Sequence, residues 1–208
     1  MPGGSIGRSN LILIAAGYAG GLAAFPWLPG PYLGPGRSLA ARAAIAFLIP
    51  TAAFVTCATV ETFSRSTSNA PHLESAKAIR AVSAFTVLFM VGLHGLVLVS
   101  LIGFPIAGFP VHRLAVALFG LLLVGIGNVL PRVRPNTVIG IRTRALLDDP
   151  VAWARVHRMA GYFLVTLGAI AVGAGLMLSK SQIPLVLSSA VVFGATVNLA
   201  AYRRWTRG

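Results

Sequence analysis

Four histidines, His72, His94, His112 and His157, are the residues of this chain with the widest chemical reach, since imidazole can ligate a metal or carry a proton. Their spacing builds no such site. There is no H-E-x-x-H stretch, the four acids Glu61, Glu74, Asp148 and Asp149 form no cluster that could hold a metal, and no serine has a histidine and an acid in a recognisable arrangement. The expectation is therefore no catalytic residue, no cofactor and no metal. Cys57, the single cysteine, sits in an apolar run and reads as a small buried hydrophobe, without a disulfide or metal role. The polar side chains gather instead in one place, residues 127–161, GNVLPRVRPNTVIGIRTRALLDDPVAWARVHRMAG. Any specific function is expected to reside in that arginine-rich stretch.

The elements that must position it are membrane helices. Hydrophobic residues make up 56% of the 208-residue chain and charged ones 10%, against a charged fraction near 25% in soluble domains. Six apolar runs, approximately 9–28, 39–61, 80–103, 111–131, 159–179 and 183–202, are each long enough to cross roughly 30 Å of hydrocarbon. The first is followed by PWLPGPYLGPG, too bulky and proline-rich for a cleavage site, and is expected to remain as a span. The fold expected is all-α: a single polytopic membrane domain over 1–208, a bundle of six transmembrane helices with a polar loop, 132–158, between the fourth and fifth.

Basic residues give that bundle a direction. Of the 17 Lys and Arg, thirteen fall on one side: Arg8, Arg65, Lys77, Arg80, Arg132, Arg134, Arg142, Arg144, Arg155, Arg158, Arg203, Arg204 and Arg207. Arg37, Arg42, Arg113 and Lys180 fall on the other. Basic loops stay inside, so both termini and the polar loop are expected to be cytoplasmic. The net charge of +13 is spread over short segments beside the spans, where anionic lipid headgroups are the nearest partners. No nucleic-acid fold is present and no direct nucleic-acid partner is expected.

Within the spans, dense glycine and alanine in AAGYAGGLAA, GLLLVGIGN and LGAIAVGAGL predict close helix packing. His94 is the one ionisable residue near the middle of a span and admits two readings, a proton-responsive switch or, preferred, a neutral ring hydrogen-bonded to a neighbouring helix. Glu61, at the inner end of the second span, reads as a solvated carboxylate or as an arginine partner. Asn128 and Asn198 read as interhelical hydrogen-bonding groups.

The polar stretch has its own local logic. Pro131 and Pro135 should turn the chain from helix to extended as it leaves the fourth span. Asn136 and Gly140 suit a turn, glycine supplying any positive φ. Asp149 before Pro150 is a helix-start signal, and the helix it begins, which can run on into the fifth span, puts Trp153 and His157 on one face with Trp153 placed as an interfacial anchor.

The order Gly127, Asn128, Pro131, Pro135, Asn136, Gly140, Ile141, Arg142, Thr143, Trp153, His157, Arg158 and Gly161 resembles the signature of the SdpI family of bacterial membrane proteins. Chain length and the six-run layout are also similar. The proline-rich FPWLPGPYLGPGRS lacks the histidine that such proteins often carry after the first span, and Arg144 stands where they commonly have proline. The resemblance implies immunity against a secreted toxic peptide that attacks the producer's own membrane, and in some relatives signalling by holding a transcriptional repressor at the membrane. Under it, Arg142, Arg158 and Asn136 would form a cytoplasmic polar platform held by Trp153 and His157; alternatively these residues close the inner end of the bundle. A small transporter or channel is the competing reading, encouraged by His94 and opposed by the shortage of polar groups within the spans. A structural partner for a neighbouring membrane protein is the third.

Overall fold

The computed structural model describes residues 7–28, 38–66, 73–104, 109–136 and 138–207. His72, Arg37 and most of the proline-rich stretch lie outside the described residues, as do the side chains of Arg65, Glu74, Asn198, Arg203, Arg204 and Arg207. Among the described residues seven α-helices follow one another: α1 Arg8–Ala24, α2 Ser38–Ser66, α3 Leu73–Leu101, α4 Val111–Val129, α5 Arg144–Leu147, α6 Pro150–Met177 and α7 Gln182–Arg207. Among the described residues there is no strand. Helices suit such a sequence because hydrocarbon offers no water to the backbone, and a helix satisfies its own N–H and C=O groups.

Among the described residues five segments are long and apolar enough to cross a membrane: Arg8–Trp27, Leu39–Thr62, Ser75–Leu101, Val111–Arg132 and Pro150–Met177. In α7 the described apolar part is the shorter Gln182–Thr196. Two boundaries differ from the apolar runs. Helix α3 starts at Leu73 rather than near 80, and α6 at Pro150 rather than near 159, so the last part of the expected 132–158 loop is helical. Hydropathy marks where lipid-compatible side chains begin, whereas the helix begins at its cap, here Asp149.

The chain divides into two compact units, one of residues 1–68 and 83–111, the other of 69–82 and 112–208. In the first unit, α1 and α2 approach so closely that a Cβ on Gly21 would meet the carbonyl oxygen of Ala46, and one on Gly17 would lie 3.3 Å from Cγ of the buried Pro50. One polar node joins three helices: Asn10 Nδ2 donates to Cys57 Sγ (3.4 Å) and to Ser83 Oγ (3.3 Å). Cys57 is buried as expected, yet it also accepts a hydrogen bond. His94 is fully buried, with the backbones of Gly17 and Ala46 against its ring. The ring thus faces the backbones of the two neighbouring helices, as expected of it, although neither nitrogen meets them in good hydrogen-bond geometry.

The second unit is organised by glycines of α4 and α6. A Cβ on Gly120 would lie 2.6 Å from the carbonyl oxygen of Gly168, one on Gly127 2.8 Å from that of Gly161, and one on Gly175 2.7 Å from that of Arg113. Gly161, Gly168 and Gly175 are seven residues apart, as are Gly127 and Gly120 on the partner, so the two helices run antiparallel with glycine at each closest approach. Packing and weak Cα–H···O contacts hold such pairs where lipid removes the hydrophobic drive. At the far end, Arg113 Nη2 donates 2.7 Å to the carbonyl of Leu178, capping the carboxyl end of α6. Gln182 braces the turn into α7, its Oε1 accepting from Ser179 through both the backbone N–H (3.0 Å) and Oγ (2.8 Å).

Candidate functional site

The arginine-rich stretch folds around Trp153. After α4 a single 3₁₀ turn, Leu130–Arg132, carries Pro131 in its first positions, and Val133 is already extended at φ −73° and ψ 121°. The tightening follows from proline, which lacks the N–H needed to continue the α ladder. The carbonyl of Val133 then accepts the indole Nε1–H of Trp153 at 2.7 Å. Trp153 is 1% exposed and packs among Ala78, Leu130, Val133, Leu146 and Ala152. The interfacial-anchor expectation is thus corrected: the indole is core, because its one donor finds a backbone carbonyl inside the unit rather than water.

One turn further along α6, His157 stacks on Trp153 with ring centroids 4.0 Å apart and 17° between planes. His157 Nε2 accepts the backbone N–H of Ile141 at 3.1 Å, and Nδ1 lies 2.9 Å from the carbonyl of Trp153. An amide can only donate, so Nε2 holds the lone pair and Nδ1 the proton: the neutral Nδ1–H tautomer, with both nitrogens occupied. Gly140, next to Ile141, has φ +107°, and a Cβ there would run into His157 Nε2. Glycine is required twice over, for the left-handed backbone and for the space.

Asn136 shapes the intervening turn. Its Nδ2 donates to the carbonyl of Arg134 (2.7 Å), while Oδ1 accepts the N–H groups of Val138 (2.8 Å) and Ile139 (2.9 Å). Such local side-chain bonding is the usual Asx device. Ser75, at the start of α3, holds the same turn: the Arg134 N–H donates to its Oγ at 3.1 Å, and Oγ lies 3.4 Å from the Arg134 carbonyl. Asp149 caps α6 by accepting from Val151 (2.9 Å) and Ala152 (3.0 Å), with Pro150 in the first turn, as the sequence predicts. Asp149→Ala should destabilise the protein by about 1 kcal/mol, read as a lower thermal midpoint in detergent; an unchanged midpoint would mean that Pro150 alone starts the helix.

Of the expected polar platform, Asn136 is not a surface group. The amide of Asn136 is buried and taken up by its own turn. Arg158 is exposed and lines a partly open cavity of about 1130 Å³, which Pro131, Pro135 and Trp153 also line, whereas the exposed Arg142 and Thr143 do not. Thr143 opens α5 without a side-chain cap bond. Pro131 has a packing role besides, its ring lying 2.8 Å from where a Gly161 Cβ would be. Asn128 is exposed and is not the interhelical group the sequence suggested. Gly127 faces α6, and the next residue is turned about 100° around α4. What sequence reasoning missed is that Lys77, Arg132 and Arg134 join Arg158 around the cavity. Each had served only to orient the spans, and Lys77 is far away in sequence. Among the described residues no three His, Cys, Asp or Glu are grouped to hold a metal.

Residues 132–202 match the model of the SdpI/YfhL protein family, which bears out the resemblance carried by the signature residues. The match takes in Trp153, the Asn136 turn and the His157 bonds, while Ala78 and Leu130 of the core lie outside it. No curated protein and no solved structure matches the chain.

Proposed function

We propose, from its likeness to the SdpI/YfhL family, that this chain is a six-span immunity protein which protects its own cell against a secreted, membrane-active toxic peptide. Both termini and the Trp153-centred motif then face the cytoplasm, as the thirteen-to-four division of basic residues favours, and α7 supplies the sixth span. The observation that carries the reading is that the residues shared with the family form a single buttressed structure: the Asn136 turn, the Val133 carbonyl on Trp153 and the Ile141 N–H on His157. A motif built this way fixes the shape of the inner end of the helices. Arg142 and Arg158 are among the exposed charges of this stretch, and in this reading they are the groups that would meet a cytoplasmic partner such as a repressor. The reading involves no catalytic step.

The test is membrane potential, followed with a voltage-sensitive dye in a toxin-sensitive bacterium challenged with peptides secreted by the producing strain. Cells carrying the protein should keep their potential. Cells carrying Arg142→Ala at equal abundance should depolarise if the exposed arginine takes part in protection. Full insertion with no protection would remove immunity as the function.

A small transporter is the second reading, favoured by one observation: His94, fully buried in the first unit, has both ring nitrogens without a hydrogen bond of good geometry. An ionisable group in that state within a span is a feature of proton and ion pathways. His94→Ala should abolish flux in reconstituted vesicles under this reading and leave toxin protection intact under the first.

A further inference from the structure

Four cationic side chains, Lys77, Arg132, Arg134 and Arg158, share the cavity of about 1130 Å³ in the second unit, and no acidic side chain lines it among the described residues. They come from three places: the start of α3, the turn after α4 and the third turn of α6. The nearby Asp149 is committed to capping α6. Like charges around a low-dielectric concavity raise the local potential and concentrate anions. The rest of the wall is apolar, including Ala78, Ala81, Val129, Leu147 and the Trp153 ring. A basic rim over an apolar wall, where three candidate spans begin or end, fits a molecule with a phosphate at one end and hydrocarbon at the other.

We propose that this cavity is a binding site for one anionic phospholipid, with Arg132, Arg158 and Lys77 around the headgroup phosphate and the acyl chains leaving along Val129 and Ala81. Guanidinium groups suit the phosphate because they offer paired donors. Ser75 and Asn136 hold the backbone of Arg134 in place, so the arginine-bearing turn is built before the lipid arrives. A soluble anion would not need the apolar wall, and an acidic peptide would not need a site at the ends of membrane spans. The headgroup site stands or falls apart from the immunity reading, since its test involves no toxin.

Full-length protein in an uncharged detergent is titrated with phosphatidylglycerol, with phosphatidylcholine of the same acyl chains, with inorganic phosphate and with polyglutamate, and bound lipid is counted by native mass spectrometry. One phosphatidylglycerol should bind in preference to phosphatidylcholine. Each charge removed should weaken it roughly five-fold, so that Lys77→Gln loses about five-fold and the Arg132→Gln, Arg158→Gln pair about twenty-five-fold. Arg8→Gln, outside the cavity, should change nothing. All three substituted side chains are exposed, and an unchanged melting profile checks that each variant is folded. Equal binding of the two lipids, or full retention of phosphatidylglycerol by the double variant, overturns the site. Displacement by millimolar phosphate, or by polyglutamate, would also overturn it, assigning the cavity to a free anion or to an acidic protein segment.

Discussion

Gly168→Ala is expected to destabilise the second unit by about 1–3 kcal/mol, although alanine is the better helix former by roughly 1 kcal/mol. A methyl group at this position would stand 2.5 Å from the carbonyl oxygen of Gly120 and 2.8 Å from the backbone nitrogen of Val124. Neither is the end of a flexible side chain that can swing away, so α4 and α6 must separate along their length. Gly173 lies five residues further along the same helix with nothing within 4 Å of its Cβ position. Gly173→Ala should therefore be neutral or stabilising, so that Gly168→Ala lowers the thermal midpoint in detergent and Gly173→Ala does not. If both move it alike, the glycine register is not what holds the pair together.

Trp153 should give the second large effect. Trp153→Ala removes a fully buried ring and should cost about 3–5 kcal/mol. Trp153→Phe keeps most of the volume but leaves the Val133 carbonyl without the indole N–H, and should cost about 1–3 kcal/mol. The loss should be local before it is global. His157 stacks on the indole and holds the Ile141 N–H, so hydrogen exchange at Ile141 should quicken in Trp153→Ala, while the Ser179–Gln182 turn remains protected. Uniform quickening over both regions would show instead that Trp153 supports the whole unit and not the turn in particular.

Those two effects differ in how far they were legible. The start of α6 could be read from two adjacent residues, Asp149 and Pro150, and the turn at Gly140 from a glycine placed after an asparagine; both are local, and the backbone obeys them wherever the rest of the chain lies. The small residues of the spans promised close packing, but which glycine meets which is a property of two helices and becomes readable only once Gly127 and Gly161 are seen facing. Trp153 was placed at an interface because tryptophan is common there. Its donor found a carbonyl 20 positions back along the chain, a pairing that no periodicity signals. Asn136 failed as a surface group for the opposite reason, since its partners are so near in sequence that its own turn absorbs both ends of the amide. Counting Lys77, Arg132, Arg134 and Arg158 toward one side of the membrane gave no hint that they would meet.

The spacing of seven on α4 and α6 also limits how this unit can move. Sliding one helix along the other brings a side chain onto a carbonyl until the next glycine comes into line, a full step of about 10.5 Å, so no small stroke along the axis is open to the pair. The two helices form a notched strut. A push delivered at the Trp153 end reaches the Arg113 end as tilt or rotation, never as a piston displacement.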